Sequence, residues 1–409
     1  MTETALRRVV VVGAGLAGVS TCVELRRRGY DGGLVLVDAG GFPHDRPPLS
    51  KDYLAGIADD AKIRLQPLGW FEEHQVDLRA GAHAVALRPA ARSVELADGR
   101  EERADAVVIA TGGDSRPLPV PGGDTPAVHM LRTVDDARQL REVLRPGARL
   151  VVIGAGLIGA EVASTARRLG VDVVLVDPVN PPLRAAVGLR LATFLHAQHR
   201  DYGIDVQTAA VDRIDQRGGE AAVYLSGRAE PVTADVVLAG IGIIPATALA
   251  ESAGLAVDGG VLVDDRHRSS NPAVFAVGDA ARSRRGDGSP GTRVEHWEAA
   301  QKGGAAVAAA LLGAEPPAVG APWFWTDRHG CHVEVVGSMT VAEITVRRGT
   351  LRDGPYMEFA LAQGRCVGAV AVDDSRNLRA ARRLIDAGLQ VDPDALADPG
   401  ADLRKLARR

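Results

Sequence analysis

Cysteine is nearly absent: the 409-residue chain holds three, Cys22, Cys331 and Cys366, all far apart. With no C-x-x-C pair there is no dithiol redox centre, and three scattered thiols make neither a disulfide framework nor a zinc site. Each is expected to be a small buried apolar residue, and no metal site is expected. Aromatic residues are scarce at 4%, which makes each of the four tryptophans worth locating. No apolar run approaches the ~20 residues that cross a bilayer. The valine run ending at Val12 leads straight into a glycine turn, so it is not a signal-peptide core. Neither charge dominates: the formal net charge is −4 and the pI about 6.2, which gives no bulk reason to expect nucleic acid. A soluble, cytoplasmic protein is expected, with 46% hydrophobic residues to fill two or three cores.

The chain is organised around Val9-Val10-Val11-Val12-Gly13-Ala14-Gly15-Leu16-Ala17-Gly18. A β-branched run enters a G-x-G-x-x-G turn, and an amphipathic segment follows. Gly13 permits the turn, Gly15 lets a pyrophosphate approach the backbone, and Gly18 lets helix and strand pack closely. The first amides of the helix then face phosphate with the positive end of the helix dipole behind them. A second strand ends at Asp38, twenty residues past Gly18, where a carboxylate can accept hydrogen bonds from ribose hydroxyls.

Further along, Arg46-Pro47-Pro48-Leu49-Ser50-Lys51 is stiffened by its prolines. It reads either as a rigid loop with Ser50 capping a short helix over 51–57, or as two cations held beside an anionic cofactor. Segments 84–87 and 93–96, turned at Asp98-Gly99, suggest a small antiparallel excursion. The run 106–112 is a buried strand ending in Ala110-Thr111-Gly112, where glycine allows backbone to pass close to a ligand. Proline-rich 117–126 suggests a domain crossing.

The opening unit then repeats at Gly154-Ala155-Gly156-Leu157-Ile158-Gly159, with Asp177 closing its second strand. Two complete fingerprints imply two dinucleotides, and a chain that binds two usually moves electrons between them. No cation adjoins Asp177 to receive an NADP 2′-phosphate, and the carboxylate would repel one, so NADH is favoured over NADPH. Strand 236–242 ends in Gly240-Ile241-Gly242, and strand 273–279 ends at Gly278-Asp279, an acid placed either for a sugar-alcohol hydroxyl or as a helix cap. A helical pattern runs from Val294. The final part alternates as strands and closes with a helix. Its Pro322-Trp323-Phe324-Trp325-Thr326-Asp327 segment reads as core or as an aromatic wall beside a flat cofactor.

Together these segments, with Glu161 after the second fingerprint, Val294-Glu295-His296-Trp297 and Gly240-Ile241-Gly242-Ile243-Ile244-Pro245, resemble the FAD-dependent, NADH-linked ferredoxin reductases. Those enzymes serve bacterial Rieske dioxygenases and haem-thiolate monooxygenases. The resemblance covers nearly the whole chain in order. It implies an α/β fold with two Rossmann-like dinucleotide-binding domains and a small α+β C-terminal domain. The FAD domain would be split between 1–113 and 240–320, with the NAD domain at 114–239 and the last domain at 321–409. It implies FAD on Gly13, Ala14, Gly15, Leu16, Ala17, Asp38, Val85, Ala110, Thr111 and Gly112, and NAD on Gly154, Gly156, Leu157, Ile158, Asp177, Gly240, Ile241 and Gly242. Arg46 would meet the FAD phosphates and Asp279 the ribityl chain, while His296, Trp297 and Trp325 would lie by the isoalloxazine. Lys51 would sit near flavin N5, paired with Glu161, and these two would be catalytic. Arg328 and His329 stand where glutamine and tyrosine are common, which would alter partner contacts.

On this reading, hydride passes from nicotinamide to flavin, and a [2Fe–2S] ferredoxin takes the electrons singly. The acceptor could instead be rubredoxin, a nitrite reductase partner or a small quinone, or the chain could be a redox sensor holding FAD and NADH. Arg376, Arg379 and Arg383 share a helical face, and Arg282, Arg284 and Arg285 form a basic loop. Each patch is either a ferredoxin dock or simply solvated.

Overall fold

A computed structural model describes residues 6–407, which form two compact units. One comprises 6–45, 59–114 and 243–319; the other comprises 46–58, 115–242 and 320–407.

The first unit is built on a five-stranded parallel sheet in the order Val274–Ala276, Ala106–Ile109, Arg8–Val12, Gly33–Asp38, Val76–Ala80. Its strands are continuous apolar runs because both faces are covered. Side chains alternate: Val9 and Val11 join Leu34, Leu36 and Val108 beneath the helices Leu16–Arg27 and Trp297–Leu311, while Val10 and Val12 join Val35, Val37 and Leu249 on the other face. Helix Leu16–Arg27 ends where Arg26 turns its guanidinium onto the carbonyls of Tyr30, Gly32, His74 and Gln75. The expected excursion has three strands, Ala84–Arg88, Ser93–Leu96 and Glu101–Arg103. Asp98-Gly99 joins the second to the third, because Asp98 accepts from the Arg100 amide at 3.0 Å and Gly99 takes a positive φ. The helix expected from Val294 starts at Trp297, with His296 extended as its cap.

The second unit repeats the arrangement. Its parallel sheet runs Asp205–Thr208, Asp172–Asp177, Arg149–Ile153, Val236–Ala239, Val128–His129, and helix Leu157–Arg168 follows the central strand. The C-terminal part is an antiparallel sheet, Trp323–Arg328, Cys331–Gly337, Arg365–Val372, Tyr356–Ala362, Ile344–Arg348, with helix Ser375–Asp386 packed on it through Leu378, Ala381 and Leu384. Buried Arg348 clasps the tail by donating to the carbonyls of Asp398, Pro399 and Ala401 at 2.5, 2.9 and 2.7 Å. The helix expected over 51–57 does not form. Pro47–Ser50 is one 3₁₀ turn followed by further turns, and Ser50 sends its hydroxyl to Glu161 rather than to a helix amide.

Candidate active site: two cradles and a held lysine

Each fingerprint folds as strand, turn and helix, and their glycines are constrained alike. Gly13 has φ +106° and Gly154 φ +98°, and a Cβ on either would strike backbone oxygen, that of Ala110 at 2.2 Å or of Gly240 at 2.5 Å. On Gly18 or Gly159 a Cβ would lie 1.9 Å from the Gly13 or Gly154 carbonyl oxygen, so helix and strand touch there. Gly15 and Gly156 have nothing within 4 Å of an added Cβ. That open space at a helix N-terminus is what a pyrophosphate needs, so both cradles fit a dinucleotide.

The acids at the strand ends also match. Asp38 accepts from the Ala14 amide at 2.7 Å and the Gly40 amide at 2.9 Å. Asp177 accepts from the Ala155 amide at 2.7 Å and the Val179 amide at 2.8 Å. In the first unit a cavity of about 520 Å³ lies beside Gly13 and Asp38, with Ala84 and Thr111 on its wall. Val85, next to Ala84, has an exposed side chain. The Thr111 hydroxyl and the Gly112 carbonyl both bond to the backbone of Ala246, which ties the strand's glycine end to the returning chain. Gly278 approaches Ala17, which brings Asp279 to the first helix's N-terminal turn. Trp297 donates from its indole to Asp45 at 2.8 Å.

The second unit gathers Lys51, Glu161, Trp325 and Asp327. Glu161, in the second turn of its helix, is buried. It accepts from the Ser50 hydroxyl (2.5 Å), the Thr326 hydroxyl (2.8 Å), the Asp327 amide (3.2 Å) and Lys51 Nζ (3.4 Å). Lys51 Nζ also donates to Asp327 Oδ2 at 2.8 Å and lies 5.4 Å from the Trp325 ring, which stacks on Trp323. Both tryptophans are half-buried, with Trp323 packed against the core that holds Leu378 and Leu384. Burial would raise the Asp327 carboxyl, but the Lys51 and His332 hydrogen bonds outweigh it and hold the carboxyl below its ordinary value.

Arg328 and His329 cannot alter partner contacts as expected, because both are buried. The His329 amide donates to Ser164, its ring meets His199 at 2.8 Å, and Tyr202 stacks on it. Burial first, then the neighbouring Arg328 charge, pushes His199 down to about 2 and His329 down to about 4. Burial also lowers Arg328 to about 10, against the pull of Glu161. The alternating pattern of strand 323–328 signals Arg328 only as a charge on one face, without saying that helix Leu189–Asp201 packs there.

The cysteines are free; Cys22 and Cys366 are buried and pushed up to about 12 by burial. Cys331 departs from the expectation, being only partly buried and accepting from the Gln198 amide at 3.3 Å. Arg282 is committed to the Gly291 and Asp258 carbonyls, which leaves Arg284 and Arg285 exposed on that loop. Arg376, Arg379 and Arg383 are exposed together on one helix face. Reading the sequence missed a groove of about 550 Å³ in the first unit, along the outer face of helix Leu16–Arg27, where Arg28, Lys62, Arg64 and Lys302 converge. Its cations come from three distant stretches of chain, so no local pattern announces it.

Two cradles with matched acids, a held lysine and no thiol pair define an oxidoreductase that works with a pyridine nucleotide. The chain belongs to the pyridine nucleotide-disulphide oxidoreductase family, whose model matches residues 7–304, and residues 323–407 match the reductase C-terminal model. It is 37% identical over 398 residues to the anthranilate 1,2-dioxygenase system ferredoxin–NAD(+) reductase component of Burkholderia cepacia, covering 97% of this chain and 98% of that one. It is 35% identical over 407 residues to putidaredoxin reductase of Pseudomonas putida, covering 97% and 96%. The crystal structure of the covalent putidaredoxin reductase–putidaredoxin complex superposes with a TM-score of 0.92 at 33% identity, covering 99% of both chains. Among the described residues no helix is long and apolar enough to cross a membrane.

Proposed function

We propose that this chain is a cytoplasmic, FAD-dependent ferredoxin–NAD(+) reductase that supplies electrons to an oxygenase. The observation that carries the reading is the pairing of two dinucleotide cradles, each with room at its second glycine, with isolated thiols, two of them buried. Electrons taken from a nicotinamide have no dithiol in the chain to enter, so they leave to a separate carrier, and a [2Fe–2S] ferredoxin takes them one at a time. The balance is NADH plus two oxidised ferredoxins giving NAD⁺, a proton and two reduced ferredoxins.

FAD, when bound, supplies the step between two-electron and one-electron transfer. The residues of the chain do the rest. Gly13, Gly15 and the amides after them would hold the FAD pyrophosphate, with Asp38 toward ribose and Asp279 toward the ribityl chain. Gly154, Gly156 and Asp177 would hold NADH, and an added 2′-phosphate would meet the Asp177 carboxylate. Lys51 would stabilise the negative charge that reduction places on the flavin, and Glu161 would fix the segment that carries Lys51. Arg376, Arg379 and Arg383 would meet an acidic [2Fe–2S] ferredoxin.

The test is stopped-flow reduction of the purified protein by NADH and by NADPH, followed by electron delivery to a panel of [2Fe–2S] ferredoxins. Fast reduction by NADH and single-electron delivery are expected. A colourless protein that takes up no flavin on reconstitution would overturn the reading. High turnover with rubredoxin or a quinone and none with any ferredoxin would replace the acceptor.

A further inference from the structure

The ammonium of Lys51 has two carboxylates within reach, and they are not equivalent. Glu161 Oε1 lies at 3.4 Å and is already shared by the Thr326 hydroxyl and the Asp327 amide; Oε2 takes the Ser50 hydroxyl. Asp327 Oδ2 lies at 2.8 Å, the length of a charge-assisted bond. The other oxygen of Asp327 is held in turn. His332 Nδ1 stands 2.5 Å from Oδ1, and because a carboxylate only accepts, Nδ1 carries the proton of that bond.

The ring is itself placed by its surroundings. The His332 amide donates to Asp373 Oδ1 at 2.9 Å, and Nε2 lies 3.5 Å from Glu334 Oε2, while the other Glu334 oxygen accepts the Trp323 indole at 3.1 Å. His332 and Asp327 are cross-strand partners in neighbouring strands, so the sheet register sets their approach. A rigid sheet thus fixes His332, His332 fixes Asp327, and Asp327 fixes the lysine. The chain holds only four lysines, Lys51, Lys62, Lys302 and Lys405, among 48 basic residues. The compact, three-donor ammonium of Lys51 reaches both carboxylates from one point, which a planar fork does not do.

We propose that Asp327, rather than Glu161, holds the Lys51 ammonium in place, and that His332 is a positioning residue acting through Asp327. Glu161 is instead the buried hub that joins residue 50, residues 326–327 and its own helix. The inference rests on the reading of Lys51 as the cation beside reduced flavin, but its first readout does not depend on that reading.

The experiment is competitive acetylation of the FAD-loaded protein with acetic anhydride, read by mass spectrometry at Lys51 against exposed Lys405. Asp327→Asn should raise Lys51 labelling about fivefold, the size expected for losing one half-exposed charge-assisted bond. His332→Ala should raise it about twofold. His332→Asn, whose amide can stand where Nδ1 stands, should restore it. In stopped-flow work Asp327→Asn should lower the limiting rate of flavin reduction with the NADH dissociation constant unchanged. Unchanged labelling in both Asp327→Asn and His332→Ala, with a rise in Glu161→Gln, would overturn the proposal and return the lysine to Glu161. If Asp327→Asn fails to fold, His332→Ala and its rescue by His332→Asn decide alone. A wild-type flavin that NADH does not reduce would remove the reductase reading while leaving the labelling comparison intact.

Discussion

The two cradle helices begin with the same turn and end in different company. Seven residues after the first glycine, the first helix carries Ser20 and the second carries Glu161. The first helix lies against helix Trp297–Leu311 so closely that a Cβ on Gly304 would come within 2.7 Å of the Ala17 carbonyl oxygen and 2.8 Å of the Thr21 amide. The second is tied by polar bonds: Glu161 to four donors, Thr165 to the Ser50 carbonyl, Ser164 to the His329 amide. At its start Ile158 is 41% exposed, where the equivalent Ala17 is 6% exposed beside Gly278. Identical turn chemistry therefore sits under an apolar seal in one unit and an open tip with a charged hub in the other. A covered cradle suits a cofactor that stays, and an open one suits a nucleotide that comes and goes.

Filling each cradle tests that contrast most severely. Gly15→Val places a side chain where phosphate belongs without touching protein, so the protein should fold and purify without flavin. Gly156→Val should purify yellow, yet bind NADH about a hundredfold more weakly, losing roughly 3 kcal/mol of phosphate contacts. Flavin content by absorbance and NADH affinity by titration separate the two; flavin retained in Gly15→Val would reverse the assignment of the cradles.

Next in size are substitutions aimed at what covers each helix. Glu161→Leu strips the acceptor from a buried network and should cost about 3 kcal/mol, because the Ser50 and Thr326 hydroxyls lose their partner. Gly304→Ala should cost about 1–3 kcal/mol by forcing two helices apart. Ser20→Ala should stay within about 0.5 kcal/mol. Thermal unfolding followed by calorimetry ranks them. Equal losses for Ser20→Ala and Glu161→Leu would show that the polar hub does nothing the apolar seal does not.

What the sequence made legible is what local chemistry dictates. Both fingerprints, their acids at Asp38 and Asp177, and the glycine strand ends at 112 and 242 were readable because turn geometry and strand period act over a few residues. The loop at 46–51 was readable as rigid but not in its purpose, since Ser50 finds its acceptor 111 residues away on another helix. The bond of Lys51 to Asp327 spans 276 positions. Arg328 and His329 looked like surface charge because alternation marks a face without saying what covers it; helix Leu189–Asp201 does, through His199.

Reversing charge on the C-terminal helix should have a smaller and more selective effect. Arg376→Glu with Arg379→Glu and Arg383→Glu alters an exposed face far in sequence from either cradle. Ferredoxin turnover should fall about tenfold at low salt while reduction of a neutral dye is unchanged, since steering by charge acts on association. Rising salt should then slow wild type toward the variant. If only reversal along the groove of Arg28, Lys62, Arg64 and Lys302 has this effect, docking belongs to the first unit.

The last effect concerns acid, and its sign follows from the buried histidine pair of the second unit. His199 and His329 are held neutral, at about 2 and about 4, by burial and by Arg328. In the unfolded chain each binds a proton near pH ~6.5. Between those limits the unfolded chain holds more protons, so stability rises with pH. The pair's full contribution stands above pH ~6.5 and is lost as pH falls, His329 fading out near its folded value and His199 continuing below it. Asp327, held low by Lys51 and His332, adds its own loss only once pH drops below the ~3.9 of a free carboxyl. The limb between about 6.5 and 4 therefore belongs to histidine, at on the order of 1 kcal/mol per pH unit after allowing for partial solvent access. Trp323 and Trp325 report this unit alone once Trp70 and Trp297 of the first are replaced by phenylalanine. In that background the double variant His199→Gln with His329→Asn, asparagine tolerating the φ of +51° at 329, should lessen the slope of the fluorescence-detected limb and leave the share of His129 and His196, which burial also lowers. A limb of undiminished slope would place the missing protons on other groups and leave the two units alike in their response to acid.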